Sequence, residues 1–158
     1  MMAHENLNFL PVSLNIADKK LLIIGGGKVA LHKTLILNKF TDNISIVSPE
    51  FHEGFDALPF TKLKQKYSPE VLQDAFIIYI CTGDKNLNAQ IKSDAAERNI
   101  LACVCDNPAL CDFISPAVHR EEHFTIAVSS DGRNVRRSIA IRNQISELIN
   151  KGILKLYD

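Results

Sequence analysis

A glycine triplet set between an apolar run and a helical stretch constrains this chain more than any other feature. Leu21-Leu22-Ile23-Ile24 is uninterruptedly apolar, as a parallel strand covered on both faces must be. Gly25-Gly26-Gly27-Lys28-Val29-Ala30 follows at once and fits G-x-G-x-x-G/A. Leu31 to Lys39 then reads as helix, with Leu31, Leu35 and Ile36 on one side. A strand before and a helix after are what the pattern's mechanism requires. Gly25 permits the tight turn, Gly27 lets a pyrophosphate reach the backbone, and small Ala30 lets helix and strand approach closely. Helix N–H groups that lack intrahelical partners then face the phosphates. A dinucleotide site is the expectation, and a plain glycine turn is the alternative.

The remaining elements extend the same architecture. Asn43 to Val47 alternates like a second strand and stops at Ser48-Pro49-Glu50. Lys62 to Tyr67 is a half-polar third strand suited to a sheet edge, and Ser68-Pro69-Glu70 opens a short helix with Ser68 as its cap. Ala75 to Cys81 is a fourth, buried strand. Asn86 to Asn99 is a helix with Leu87, Ile91 and Ala95 on one stripe, and Ile100 to Val104 is a fifth strand. Strands alternating with helices predict an α/β fold, a Rossmann-like parallel sheet covered by helices. Ligands bind beyond the carboxyl ends of such strands, which here are Gly25–Ala30, Ser48–Glu50, Thr82–Asp84 and Cys105–Pro108. After the fifth strand come an irregular stretch, a charged turn at His119–His123, a strand at Phe124–Val128 and a helix from about Asn134 to Lys151. That helix is apolar over a wide face (Val135, Ile139, Ile141, Ile145, Leu148, Ile149), which suits its own domain on one side and a second copy on the other. A helix simply laid across the sheet is the alternative. The expected division is residues 1–115 as the nucleotide-binding domain and 116–158 as a dimerisation and substrate-site segment.

Composition narrows the function classes. Eighteen basic and eighteen acidic side chains cancel, which argues against a globally basic nucleic-acid binder. No apolar run approaches the roughly 20 residues that span a bilayer, and Met1-Met2-Ala3-His4-Glu5-Asn6 has no leader character, so a cytoplasmic protein is expected. The four cysteines, Cys81, Cys103, Cys105 and Cys111, read as buried free thiols. Cys103 and Cys105 are expected to face apart, and with no C-x-x-C pair no metal site is expected.

Two groups of polar residues suit chemistry. Asp106 lies just past a strand that points at the crevice, where a carboxylate could move a proton beside a nicotinamide; a mere Asp-Asn-Pro turn is the alternative. Asp84 and Asp112 are weaker versions, each suited to starting a short helix. Arg133, Arg136, Arg137 and Arg142 gather at the start of the last helix, with Arg120 nearby in sequence. Arginines in a first turn oppose the helix dipole unless an anion offsets them. With the donors of Ser129, Ser130 and Gly132 they suit a substrate carrying several carboxylates; a solvated basic face is the alternative. Glu50 is the first acid after the second strand and could bond a ribose, although it could equally be an exposed turn residue. No arginine adjoins it to meet a 2′-phosphate, so NAD is expected over NADP.

Together, Gly25–Ala30, Val47-Ser48-Pro49-Glu50, Cys105-Asp106-Asn107-Pro108, Cys111 to Ala117 and Thr125 to Gly132 resemble the siroheme synthase family, in order, from about Leu10 to Leu148. The resemblance implies an NAD-binding Rossmann domain, a homodimer formed through the C-terminal part, and oxidation of precorrin-2 to sirohydrochlorin with hydride passing to NAD⁺. In bifunctional members it also implies Fe²⁺ insertion by a ferrochelatase activity. Asp106 matches the family's central aspartate; Lys28, Val29, Pro49 and Glu50 match its NAD contacts; Ser130 matches a serine lining the tetrapyrrole site. Where many relatives read threonine-serine-proline, this chain has Arg133-Asn134-Val135-Arg136-Arg137. It also stops soon after the last helix, without the longer relatives' helical tail or a methyltransferase domain. A dehydrogenase with a separate chelatase, or a non-catalytic NAD-sensing module, are the alternative readings.

Overall fold

The computed structural model describes residues 7–157, so the reading of Met1 to Asn6 falls outside the described residues. The chain forms two compact units, Pro11–Phe113 and a second built on Ile114 onward together with the segment up to Leu10.

The first unit is a five-stranded parallel sheet of β1 (Lys20–Ile24), β2 (Ile44–Ser48), β3 (Thr61–Lys64), β4 (Ala75–Ile80) and β5 (Leu101–Val104), in spatial order β3-β2-β1-β4-β5. Strand residues alternate between two cores, so the sheet is buried on both faces. Leu21 and Ile23 join Ala30, Ile46, Phe55 and Tyr79 on one side. Leu22 and Ile24 join Val47, Leu72, Ile80, Ile91 and Ala95 on the other. Helix α1 (Lys28–Leu37) covers the first face and α2 (Lys85–Glu97) the second. Strand β3 takes the edge position that its polarity predicts; three of its four residues are exposed.

Three local expectations need correction. The buried stripe of α1 is Ala30, Thr34 and Leu37, while Leu35 stays 46% exposed. Small Ala30 fixes which face meets the strand, and Thr34 tolerates burial because its hydroxyl donates to the Ala30 carbonyl at 2.9 Å. The helix after Ser68 is one 3-10 turn, Pro69–Leu72, and Ser68 makes no side-chain cap bond there. Asp112 caps nothing: it pairs with Lys92 at 2.7 Å and accepts the Ala102 N–H at 2.9 Å, pinning the chain after β5.

The second unit holds an antiparallel hairpin, β6 (Ala117–Glu121) and β7 (Phe124–Val128), and helix α3 (Val135–Asn150). The charged segment expected as a turn is thus mostly strand: His119 pairs with Ile126 and Arg120 with Thr125, leaving Glu122 and His123 to turn the chain. Among the described residues no helix is long and apolar enough to cross a membrane.

Candidate functional site

A crevice of about 350 Å³ opens where β1, β2 and β4 end. Its floor is Gly25, Gly26 and Gly27; Val47 to Glu50 form one wall, and Cys81, Thr82 and Gly83 the other. Each glycine has a separate reason to be there. Gly25 has φ +124°, and a side chain would strike the Cys81 carbonyl. Gly26 lies so close to the Glu50 carbonyl and the Ser48 side chain that no Cβ fits. Its own carbonyl accepts the His52 N–H at 2.7 Å, tying the turn to the loop after β2. Gly27, the residue before α1, faces open space, and a side chain there would meet nothing within 4 Å. An open backbone at a helix start, with no acidic side chain in that first turn, is a cradle for a diphosphate. The residues therefore fit a dinucleotide.

Pro49, Glu50 and Thr82 line the crevice. Lys28 and Val29 are exposed on the first turn of α1, outside the lining. Asp84 also stands outside it. Its carboxylate caps α2, accepting from the Asn86 N–H at 2.9 Å and the Leu87 N–H at 3.1 Å.

Asp106 is exposed just past β5 and does not point into the protein body. Its Oδ1 accepts from Asn88 Nδ2 at 3.4 Å, and Asn88, only 2% exposed, binds both the carbonyl and the hydroxyl of Thr82. A buried amide thus joins the crevice wall to the carboxylate. Asn88 carries no local signal in the sequence; its place on the buried stripe of α2, one residue from Leu87, was the only hint. Tyr67 and Leu87 also line the crevice unforeseen. The Tyr67 hydroxyl donates to the buried Asp94 at 2.7 Å, and Asp94 also accepts from Gln90 at 2.8 Å. Burial, then this bond and the Asp94 charge, pushes the Tyr67 phenol well above its ordinary range, against a smaller opposing pull from Arg98.

The expected separation of Cys103 from Cys105 is wrong, because residues two apart on an extended strand share a face. All four thiols gather on one side of the first unit. Cys81 and Cys105 sulfurs lie 2.8 Å apart, and Cys103 and Cys111 sulfurs 4.0 Å apart. Among the described residues no group of side chains is arranged to hold a metal ion.

In the second unit, Arg136 and Arg137 occupy the first turn of α3, which has no acidic side chain. Asn134 caps the helix by accepting the Arg137 N–H at 3.0 Å. Ser130 accepts from the Asn134 N–H at 3.0 Å and from the buried Ser138 hydroxyl at 3.0 Å, so it shapes the turn that presents the arginines. Arg133 donates to the Leu7 carbonyl, Arg120 to the Thr125 hydroxyl, and Arg142 to the Val118 carbonyl at 2.7 Å. Arg142 therefore belongs to the hairpin contact, leaving Arg136 and Arg137 as the outward pair.

A parallel sheet in this order, with a glycine-floored crevice at its carboxyl edge, defines a dinucleotide-binding α/β domain of the Rossmann type. The chain belongs to the family whose model is described as "Putative NAD(P)-binding", which matches residues 12–117. It is 34% identical over 154 residues to a siroheme synthase of Psychrobacter cryohalolentis, covering 95% of this chain and 29% of that one. A siroheme synthase of Thiobacillus denitrificans is 33% identical over 150 residues, covering 90% and 31%. The chain thus spans about three tenths of these relatives' length. A solved structure of SirC, precorrin-2 dehydrogenase, shares the fold with a TM-score of 0.76 at 21% identity, covering 88% of this chain and 70% of that one.

Proposed function

We propose that this chain is a cytoplasmic, homodimeric NAD-dependent dehydrogenase that oxidises precorrin-2 to sirohydrochlorin. The observation that carries the reading is the Thr82–Asn88–Asp106 chain of hydrogen bonds, which ties an exposed carboxylate just past β5 to the Thr82 wall of the nucleotide crevice. A module that only senses nucleotide has no use for that arrangement. Gly25 to Gly27 and the start of α1 hold the diphosphate, and Pro49, Glu50 and Thr82 flank it. Glu50 is the ribose partner, with no arginine adjoining it in sequence to favour a 2′-phosphate. When bound, NAD⁺ supplies a hydride acceptor. Asp106 takes the proton that must leave as the hydride leaves, and Asn88, bonded to one carboxylate oxygen, orients the other outward. The tetrapyrrole carries many acetate and propionate carboxylates, and Arg136 and Arg137, supported by Arg133, Arg120 and Ser130, are the groups to receive them. Asp84 acts through α2, whose start it caps.

Mixing the protein with precorrin-2 and NAD⁺ and following NADH absorbance tests this directly. Asp106→Ala is expected to lower kcat by roughly 10²–10⁴-fold while the NAD⁺ dissociation constant stays unchanged. NAD⁺ binding without turnover in the unaltered protein would leave the sensor reading. Addition of Fe²⁺ or Co²⁺ as substrate tests metal insertion as a separate activity.

A further inference from the structure

The thiol cluster has no part in that chemistry, yet one member of it lines the crevice and is in contact with a second. Cys81 lines the crevice directly after β4, and Cys105 follows β5 immediately before Asp106. The ladder between these strands runs Tyr79 to Cys103 and Ile80 to Val104. It continues past the strand ends through the Cys105 N–H to the Ile80 carbonyl at 2.9 Å. Extending that register sets Cys81 opposite Cys105. Adjacent strands lie about 4.8 Å apart, within the roughly 4.4–6.8 Å that a disulfide demands between its Cα atoms. The two sulfurs, at 2.8 Å, are less than about 1 Å short of bonding distance. Both residues are partly exposed, whereas Cys103 is buried and Cys111 is engaged with the Val104 backbone.

We propose that Cys81 and Cys105 form a reversible dithiol–disulfide couple that clamps the ends of β4 and β5 together where the crevice wall meets Asp106. The oxidant is a low-molecular-weight disulfide. The Cys81 thiolate attacks one of its sulfurs, that S–S bond breaks, and one small thiolate departs. Cys105 then loses its proton to solvent, its sulfur attacks Cys81 Sγ, and the second small thiolate departs. Two cysteine thiols have been oxidised, one small disulfide has been reduced to two thiols, and those thiols carry both protons. Hydrogen bonding from Cys103 pulls the Cys105 thiol down, but the Cys81 contact and burial outweigh it and push it up to about 12. A Cys105 thiolate is therefore not stabilised in the reduced form.

The test equilibrates the full reduced chain with mixtures of reduced and oxidised glutathione, quenches with N-ethylmaleimide, and reads free thiols and linked peptides by mass spectrometry. Two thiols are expected to disappear together, with a Cys81–Cys105 linked peptide, full reversal by dithiothreitol, and a thermal midpoint raised by roughly 5 °C or more. The Cys103→Ser/Cys111→Ser double variant keeps the behaviour. Cys105→Ser stops at a mixed disulfide on Cys81, which identifies Cys105 as the thiol that closes the bridge even if that variant's stability falls. Absence of the Cys81–Cys105 link, a Cys103–Cys111 link in its place, or a link that lowers the midpoint would overturn the proposal.

Discussion

The first unit is closed upon itself and the second is not. Every buried apolar side chain among the described residues, Val118 excepted, lies between Leu21 and Val104. In the second unit α3 buries only Ser138, while Val135, Ile139 and Leu148 remain 60%, 39% and 40% exposed. A two-stranded hairpin with one helix is too small to stabilise itself through its own core. The difference matches the division of labour proposed above. In that proposal the buried sheet holds the crevice and one oriented carboxylate, and the open segment is the part assigned to a second copy and a polyanionic substrate.

Truncating a side chain in each unit tests that contrast most forcefully. Ile78→Ala, at the fully buried centre of β4, is expected to cost about 2–5 kcal/mol in urea unfolding of the first unit. Ile139→Ala is expected to cost under about 1 kcal/mol at low protein concentration, and to weaken self-association measured by sedimentation. Equal losses from the two variants would end the idea that only one unit carries its own core.

The same contrast explains what could be read in advance. The glycine turn and the buried strands were legible because their signals are local: an apolar run, a forced backbone shape and a helix start within ten residues. Strand β6 has no strand signal because His119, Arg120 and Glu121 look like a turn, and only the fold pairs them with Ile126, Thr125 and Phe124 of β7 and sets His119 against Ser146 of α3. Periodicity puts Leu35 on the inner face of α1 because it weighs Leu35 above Ala30, whereas close approach to the strand favours the smaller residue. Asn88, the Tyr67–Asp94 pair and the meeting of Cys81 with Cys105 are contacts between elements far apart in sequence, set by sheet register and helix packing. No spacing announces them. The NAD reading and Asp106 rest on local residues and resemblance together, whereas the arginine corner rests on its own residues, at a place where the chain departs from the family pattern.

A charge reversal in the open unit sharpens the comparison with a smaller effect. Arg136 sits in the first turn of α3, where a cation opposes the helix dipole. Arg136→Glu is therefore expected to stabilise the helix by about 0.3–1 kcal/mol while raising KM for the tetrapyrrole roughly tenfold, the equivalent of about 1.4 kcal/mol. The KM for NAD⁺ stays where it was. Opposite signs for stability and substrate affinity mark a residue kept for its ligand. An unchanged tetrapyrrole KM would remove the arginine pair from the substrate site.

The smallest effect lies inside the closed unit, where Tyr67 lines the crevice on a bond to Asp94. Below pH 10 the Tyr67→Phe variant lacks that hydrogen bond and leaves Asp94 with fewer donors, a loss of about 0.5–1.5 kcal/mol. Above pH 10 the two proteins behave differently. In the unfolded chain the phenol ionises near its ordinary value of 10.0, whereas burial first, and then Asp94, holds it protonated in the fold. The unfolded state then binds fewer protons than the folded one, so stability falls as pH rises. The tyrosine's contribution is complete below pH 10 and drains away as pH climbs toward the raised folded value. Phenylalanine has no proton to lose, and every other titrating group is common to both chains. The gap between their thermal midpoints should thus narrow steadily from pH 10 upward. A gap that stays constant or widens would mean that the Tyr67 phenol ionises as freely in the fold as out of it, and that Asp94 does not hold this wall of the crevice.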